Sequence, residues 1–140
     1  MTRKYTGQCC CGAVRFAFDT DPNFVANCHC LDCKRATGGE APTFFAVPQE
    51  DFTVISGSPK AFHYIADSGK GLDRNFCPDC GARLFSSNLE SFPGLVFVTL
   101  GSLDRPERSS RGSKCSPGAG WPGQRRSIFR SSMACLVEPR

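Results

Sequence analysis

The chain has 140 residues, of which 40% are hydrophobic, and a formal net charge of +4. This composition excludes a disordered chain and favours a single globular domain, and no apolar run approaches the roughly 18 residues of a membrane-spanning helix. Residues 1–104 carry nine Lys or Arg against eleven Asp or Glu, whereas residues 105–140 carry eight against two. A basic tail can attract nucleic acid or an anionic membrane. Because the body has no basic stripe, we expect neither a nucleic-acid nor a membrane partner.

The first residues, MTRKYTGQCCCG, have a short basic start but no apolar run behind it. They therefore do not read as a signal peptide, and we expect a cytoplasmic protein. Thiols stay reduced in that compartment. Ten cysteines then favour metal binding or catalysis over a disulfide scaffold.

Short β-patterned runs follow one another along residues 12–101. The first, at 12–19, alternates with Val14, Phe16 and Phe18 on one face, as a half-buried strand does. Six further runs are separated by Gly, Pro, Ser and Asp clusters; they lie at 42–48, 51–56, 60–66, 72–76, 82–87 and 95–101. Residues 31–39 are compatible with a single helical turn. The pattern predicts a mostly β, antiparallel, single-domain fold.

The composition changes near Arg105. From there, 15 of 36 residues are Ser, Gly or Pro, and only two aromatic residues occur, Trp121 and Phe129. We therefore expect one folded domain over residues 1–104 and a loose, basic tail over residues 105–140. One hypothesis for the abrupt change is a frameshift; a continuation of the domain's pattern in another reading frame of the gene would support it, and its absence would refute it.

Eight of the ten cysteines fall into three clusters, and seven of them are spaced as metal ligands, because only two of the first three are needed. The clusters are Cys9-Cys10-Cys11, Cys28-His29-Cys30-Leu31-Asp32-Cys33 and Cys77-Pro78-Asp79-Cys80. The C-x-x-C spacing of Cys77 and Cys80 lets two thiolates converge on one ion, and Gly81 permits the tight turn that follows. A single such pair is weak support for a metal site. The three clusters together are strong support.

Cysteines in such numbers have three other interpretations. A small buried apolar role suits the remaining residues, Cys10, Cys115 and Cys135. Disulfides suit clustered neighbours poorly because of their geometry. A thioredoxin-like redox pair requires a βαβ setting that the sequence lacks. Zinc binding is the interpretation that remains.

Seven ligands divide into four and three. Cys28, Cys30 and Cys33 can form a three-ligand set alone, which leaves a position for water or substrate as in catalytic zinc sites. Cys9 or Cys10, together with Cys11, would then join Cys77 and Cys80 in a closed structural site. His29 is a rival fourth ligand of the open set, although a role beside the site is favoured. His63 lies in a predicted strand and is expected to be structural.

Three segments resemble the glutathione-dependent formaldehyde-activating enzyme family: GQCCCG at 7–12, CHCLDCKR at 28–35 and FCPDCGARLF at 76–85. The run VTLGSLD at 98–104 is similar to the closing strand of that family. The resemblance covers about residues 5–104 and implies a β-tent fold with two zinc ions. It assigns the structural zinc to Cys9, Cys11, Cys77 and Cys80, with Cys10 facing away, and the catalytic zinc to Cys28, Cys30 and Cys33.

The resemblance also implies a carbon–sulfur lyase that joins glutathione to formaldehyde as S-hydroxymethylglutathione. A zinc at the open set would bind the thiol sulfur or polarise the aldehyde oxygen. Lys34 and Arg35 would offset the negative charge of three thiolates or hold a glutathione carboxylate. The segment after residue 104 does not align with the Trp-containing ending of the family, which favours an alternative: a non-catalytic zinc module that binds a protein partner. The sequence does not predict an oligomeric state.

Overall fold

The computed structural model describes residues 3–106 and 113–115. The described chain consists of ten short strands, one α-helix and one 3-10 turn. The strands are β1 Tyr5–Gln8, β2 Arg15–Phe18, β3 Phe24–Asn27, β4 Thr43–Pro48, β5 Thr53–Ser56, β6 Lys60–Ile65, β7 Gly71–Phe76, β8 Arg83–Ser87, β9 Leu95–Thr99 and β10 Ser113–Cys115; helix α1 is Leu31–Thr37, and the 3-10 turn is Leu100–Ser102. Within these residues, the helix is too short to cross a membrane.

The strands form two sheets. A three-stranded sheet has the order β1-β2-β5, and a seven-stranded sheet has the order β10-β3-β4-β9-β8-β7-β6. Neighbouring strands run antiparallel except β10, which pairs in parallel with β3. Four neighbouring pairs, β1-β2, β6-β7, β7-β8 and β8-β9, are joined by short loops, as antiparallel hairpins allow. The mostly β fold predicted from the sequence is confirmed.

The core lies between the two sheets and is largely aromatic. Phe16 and Phe18 of β2 have no exposed surface, and Phe45 of β4 is 1% exposed. Their rings meet across the sheets, with Phe18 and Phe45 at 6.5 Å between centroids and an edge-on angle of 74°. Such edge-to-face contacts add to the free energy of apolar burial. This core fixes β2 under the larger sheet and so fixes the loop that precedes it.

All seven predicted strands are present within a few residues of their predicted bounds. Three strands, β1, β3 and β10, were not predicted, and α1 is two turns rather than one. Ala17 is fully buried although it lies on the opposite face of β2 from Phe16 and Phe18. The expected half-buried alternation of this strand is therefore wrong at that position.

One short strand lies in the segment where a loose tail was expected. Residues 113–115 pair with residues 25–27 of β3 at the edge of the larger sheet. Cys135, Trp121 and Phe129 lie outside the described residues. The proposed division at residue 104 remains a prediction.

Candidate metal centres

The first cysteine set joins two loops that are distant in sequence. Cys9 and Cys11 lie between β1 and β2, and Cys77 and Cys80 lie between β7 and β8. Their four sulfur atoms all lie within 4.8 Å of one another. The Sγ atoms of Cys9 and Cys11 are 3.5 Å apart, and those of Cys11 and Cys77 are 3.7 Å apart. A tetrahedral zinc with bonds of about 2.3 Å places its sulfurs about 3.8 Å apart, so this donor set fits the ion.

Backbone turns hold both halves of this set in place. The Cys77 N–H donates to the Ala82 carbonyl at 2.9 Å, and the Gly81 N–H donates to the Cys77 carbonyl at 2.8 Å. Gly81 has a φ of 73°, which favours glycine, and this is the tight turn that the sequence predicted. In the other loop, the Val14 N–H donates to the Cys9 sulfur at 3.3 Å.

Hydrogen bonds and burial give the thiols of this set different pKa values. The Val14 N–H lowers the pKa of Cys9, and the Ala82 N–H is the first of several contacts that lower the pKa of Cys80 to about 6. The pKa of Cys11 is raised to about 12: an N–H from Ala13 lowers it, but the hydrogen bond to Cys9, burial and the other sulfurs outweigh that contribution. Four thiolates would therefore repel one another in this set, and a divalent cation would relieve that repulsion.

The second set is local in sequence. Cys28 follows β3, and its N–H donates to the Pro42 carbonyl at 3.0 Å. Cys30 is the N-cap of α1, and its sulfur accepts the Cys33 N–H at 3.3 Å. The sulfurs of Cys28, Cys30 and Cys33 lie within 4.8 Å of one another, and Cys28 and Cys30 are 3.3 Å apart. Three thiolates suit a zinc that keeps one open position.

Contacts between the sulfurs also shift the pKa values of the second set in opposite directions. The hydrogen bond from Cys33 lowers the pKa of Cys28 to about 5, and the reciprocal hydrogen bond raises the pKa of Cys33. The set is therefore suited to a cation, which would hold all three sulfurs as thiolates.

Asp32 holds helix α1 against the sheet through hydrogen bonds, and the sequence analysis did not single out this residue. Asp32 is only 6% exposed. Its carboxylate accepts the Tyr64 hydroxyl at 2.6 Å and the Asp67 N–H at 3.1 Å. The Tyr64 hydrogen bond, the Asp67 N–H and the charges of Arg74 and Arg35 hold the pKa of Asp32 below its ordinary value despite burial. An ionised Asp32 thus links the helix that carries Cys33 to the β6–β7 hairpin.

A cavity of about 360 Å³ opens between α1 and the strands β6, β7 and β8. Asp32 and Arg35 border it from the helix, and Arg74 and Arg83 border it from the sheet. Arg83 lies close enough to the second cysteine set for its three thiols to affect the arginine's pKa, which burial and Arg74 lower. Neither Arg74 nor Arg83 was predicted. The sequence contains one indication that Arg74 faces the protein, because it alternates with Leu72 and Phe76 and so lies on the same face of the strand.

The remaining sequence predictions have mixed outcomes. Cys10 is exposed and belongs to neither set, so the buried apolar role suggested for it is wrong, whereas its exclusion from the metal set agrees with the resemblance. His29 is not among the grouped ligands. His63 lies in β6 as predicted, but its side chain is 65% exposed and its Nδ1 lies 2.7 Å from Asp73. Of the two basic residues after Cys33, Arg35 borders the cavity.

The chain is similar in sequence to known proteins. The chain is 30% identical over 94 residues to a protein of Phaeosphaeria nodorum strain SN15, covering 64% of this chain and 48% of that protein. It is 29% identical over 103 residues to a protein of Halomonas elongata, covering 70% of this chain and 64% of that protein. Both relatives bear the name "Putative glutathione-dependent formaldehyde-activating enzyme". The chain spans about half to just under two thirds of the length of these relatives.

A solved structure shares the fold. The crystal structure of a Rhodobacter sphaeroides protein superposes with a TM-score of 0.58 at 21% identity, covering 79% of this chain and 99% of that one. The family model "Glutathione-dependent formaldehyde-activating enzyme" matches residues 4–116, beyond the boundary predicted at residue 104. The chain belongs to the glutathione-dependent formaldehyde-activating enzyme family.

Proposed function

We propose that the chain is a zinc-dependent carbon–sulfur lyase that adds a thiol, glutathione, to a small aldehyde such as formaldehyde. The observation that carries this proposal is the division of the grouped cysteines into a set of four and a set of three, with a cavity beside the set of three. A purely structural site has no need of an open position, whereas a reaction centre does. We also propose that the protein acts in the cytoplasm, where thiol ligands stay reduced.

The reaction requires no oxidant or reductant. A sulfur–carbon bond forms while the carbonyl π bond opens, and the proton of the thiol ends on the new hydroxyl oxygen. Zinc held by Cys28, Cys30 and Cys33 would supply one open position, which would either favour the thiolate form of the substrate or withdraw charge from the aldehyde oxygen.

The chain's own residues would prepare the site for this chemistry. The Cys33 N–H donates a hydrogen bond to the Cys30 sulfur and so stabilises part of the negative charge of the cluster. The guanidinium of Arg83 interacts favourably with the same thiolates. Asp32 would hold the helix, and with it Cys33, at a fixed distance from the cavity wall. Such fixed geometry lowers the entropic cost of bringing two reactants together.

Metal content and reaction rate test the proposal together. We expect the purified full-length chain to contain two zinc ions and to accelerate the exchange between formaldehyde and its glutathione adduct, measured by NMR with ¹³C-formaldehyde. Because adduct formation also occurs without an enzyme, the rate without protein is the baseline. Cys30→Ser should retain one zinc and lose the acceleration, whereas the matched control Cys10→Ser should keep both.

The alternative function is a zinc-containing module that binds a protein partner without catalysis. Two side chains of the edge strand β6 favour it, because Phe62 and Ile65 are 58% and 55% exposed. Wild-type protein with two zinc ions and an exchange rate equal to the baseline would contradict the enzyme and support the module.

A further inference from the structure

We propose that Arg74 and Arg83 form a carboxylate-binding subsite in the cavity, and that this subsite receives one carboxylate of the thiol substrate. The identity of the ligand as a thiol rests on the proposed function. The presence of an anion subsite rests on the geometry alone.

Both arginines have buried N–H groups without partners. The Nε atom of Arg74 and the Nε and Nη1 atoms of Arg83 have essentially no exposed surface and no hydrogen-bond acceptor among the described residues. One guanidinium nitrogen of Arg83 is engaged, since Nη2 donates to the Ser86 hydroxyl at 3.0 Å. Buried donors are nearly always satisfied in folded proteins, so several unpaired donors at one cavity indicate a missing acceptor.

The charges around the cavity also favour an anion. Its lining contains three guanidinium groups, Arg35, Arg74 and Arg83, and one carboxylate, Asp32. Both oxygens of Asp32 already accept hydrogen bonds, one from Tyr64 and one from Asp67. The positive charge of Arg74 contributes, after burial, to the lowered pKa of Arg83. Two like charges held together in a partly buried place are stabilised when an anion lies between them.

Aromatic rings hold the two guanidinium groups in position. Arg74 lies over the ring of Tyr64 at 4.3 Å, and Arg83 lies over the ring of Phe44 at 5.7 Å, measured to the ring centroids. Stacking of this kind restricts the planar group and fixes the directions of its N–H donors. The arginines are therefore preorganised in the way that carboxylate recognition requires.

The subsite lies beside the three-cysteine set. Asp32, Arg35 and Ala36 border the cavity from the same helix as Cys33, and Arg83 interacts with the charges of all three thiols. A substrate whose sulfur meets the cysteines thus has space for a carboxylate near the arginines. Selectivity would follow, because a neutral thiol would leave the buried donors unpaired.

Binding of S-methylglutathione tests the subsite without using the thiol chemistry. This compound keeps both carboxylates of glutathione but has no ionisable sulfur, and its diethyl ester masks the carboxylates. We expect the zinc-loaded full chain to bind the acid about tenfold to a hundredfold more tightly than the ester in calorimetry. Arg83→Gln and Arg74→Gln should each reduce this preference. Arg83→Lys should keep only part of it, because an ammonium group cannot donate the two parallel hydrogen bonds of a guanidinium.

The control is Arg15→Gln, which removes an exposed arginine whose nearest carboxylate, Asp104, is 4.0 Å away. It should leave the preference for the acid unchanged. Equal affinity of the wild-type chain for acid and ester, or no detectable binding of either at millimolar concentration, would overturn the subsite, as would an unaltered preference in a folded Arg83→Gln protein. Failure of the proposed function gives a different result: no acceleration of adduct exchange while the preference for the acid persists.

Discussion

The two cysteine sets differ in how much of the fold each one closes. Cys11 and Cys77 are 66 residues apart in sequence, and Cys77 has no exposed surface. The set of Cys28, Cys30 and Cys33 lies on one short connection and is half-buried. A metal ion at the first set would join two distant loops, whereas one at the second would only stiffen a helix start. We therefore expect the stability of the fold to depend on the first set, and the second set to be able to exchange a ligand.

Removal of a buried ligand from the four-cysteine set gives the largest expected effect. Cys77→Ser should unfold the domain, because structural zinc contributes on the order of 10 kcal/mol, comparable to the stability of a whole domain. Circular dichroism during thermal unfolding would measure this. The control Cys10→Ser removes an exposed thiol outside both sets and should change stability by less than about 0.5 kcal/mol. A Cys77→Ser protein with the melting temperature of the wild type would show that the four-cysteine set does not stabilise the fold.

Loosening the helix that carries Cys33 should have an intermediate effect. Asp32→Asn weakens the hydrogen bonds to Tyr64 and Asp67, and we expect a loss of about 1 to 3 kcal/mol in denaturant unfolding at pH 7. Because the pKa of Asp32 is lowered in the folded state, its contribution is present above about pH 4 and is lost as the pH falls through the folded pKa. Glu50→Gln, at an exposed position, is the control. Zinc loss from the four-cysteine set in Asp32→Asn would contradict the separation of the two sets.

Acidification should release the two metals in order. Protons compete with the metal for every thiolate, and three thiolates bind less tightly than four. We expect the zinc of the three-cysteine set to leave at the higher pH, as measured with a chromogenic zinc indicator. A Cys30→Ser protein should lack this first step and keep the second. Simultaneous release from the wild-type chain would mean that the sets are equal in affinity.

The smallest expected effect concerns His29. It is not grouped with the three sulfurs, so His29→Ala should retain two zinc ions and change the zinc affinity of the open set by less than about twofold. Loss of one zinc from a folded His29→Ala protein would instead identify His29 as the fourth ligand.

The cysteine clusters were predictable because the spacing within each cluster is local. Cysteine spacing alone identified three clusters, and the resemblance selected Cys9 over Cys10. Two of the three missed strands have weak signals: Tyr5–Gln8 contains a glycine and one aromatic residue, and Phe24–Asn27 is four residues long beside the cysteines. Their pairing with β2 and β4 supplies what their own sequence lacks.

The cavity was not predictable in the same way. Asp32, Arg74 and Arg83 are charged residues on three different elements, and a charge in a short β-pattern is normally read as facing solvent. Only the folded sheet brings the two arginines against the helix. Their shared lining becomes visible once the register of β7 and β8 is known.

The wide spacing of the four-cysteine set has a consequence for synthesis. Residues 28–33 leave the ribosome well before Cys80, so the set of three is complete while Cys9 and Cys11 still lack their partners. At typical translation rates the interval from Cys33 to Cys80 is roughly 2 to 10 s. We expect the nascent chain to carry its first metal on the open set, and the N-terminal thiols to remain vulnerable to oxidation until the later pair emerges.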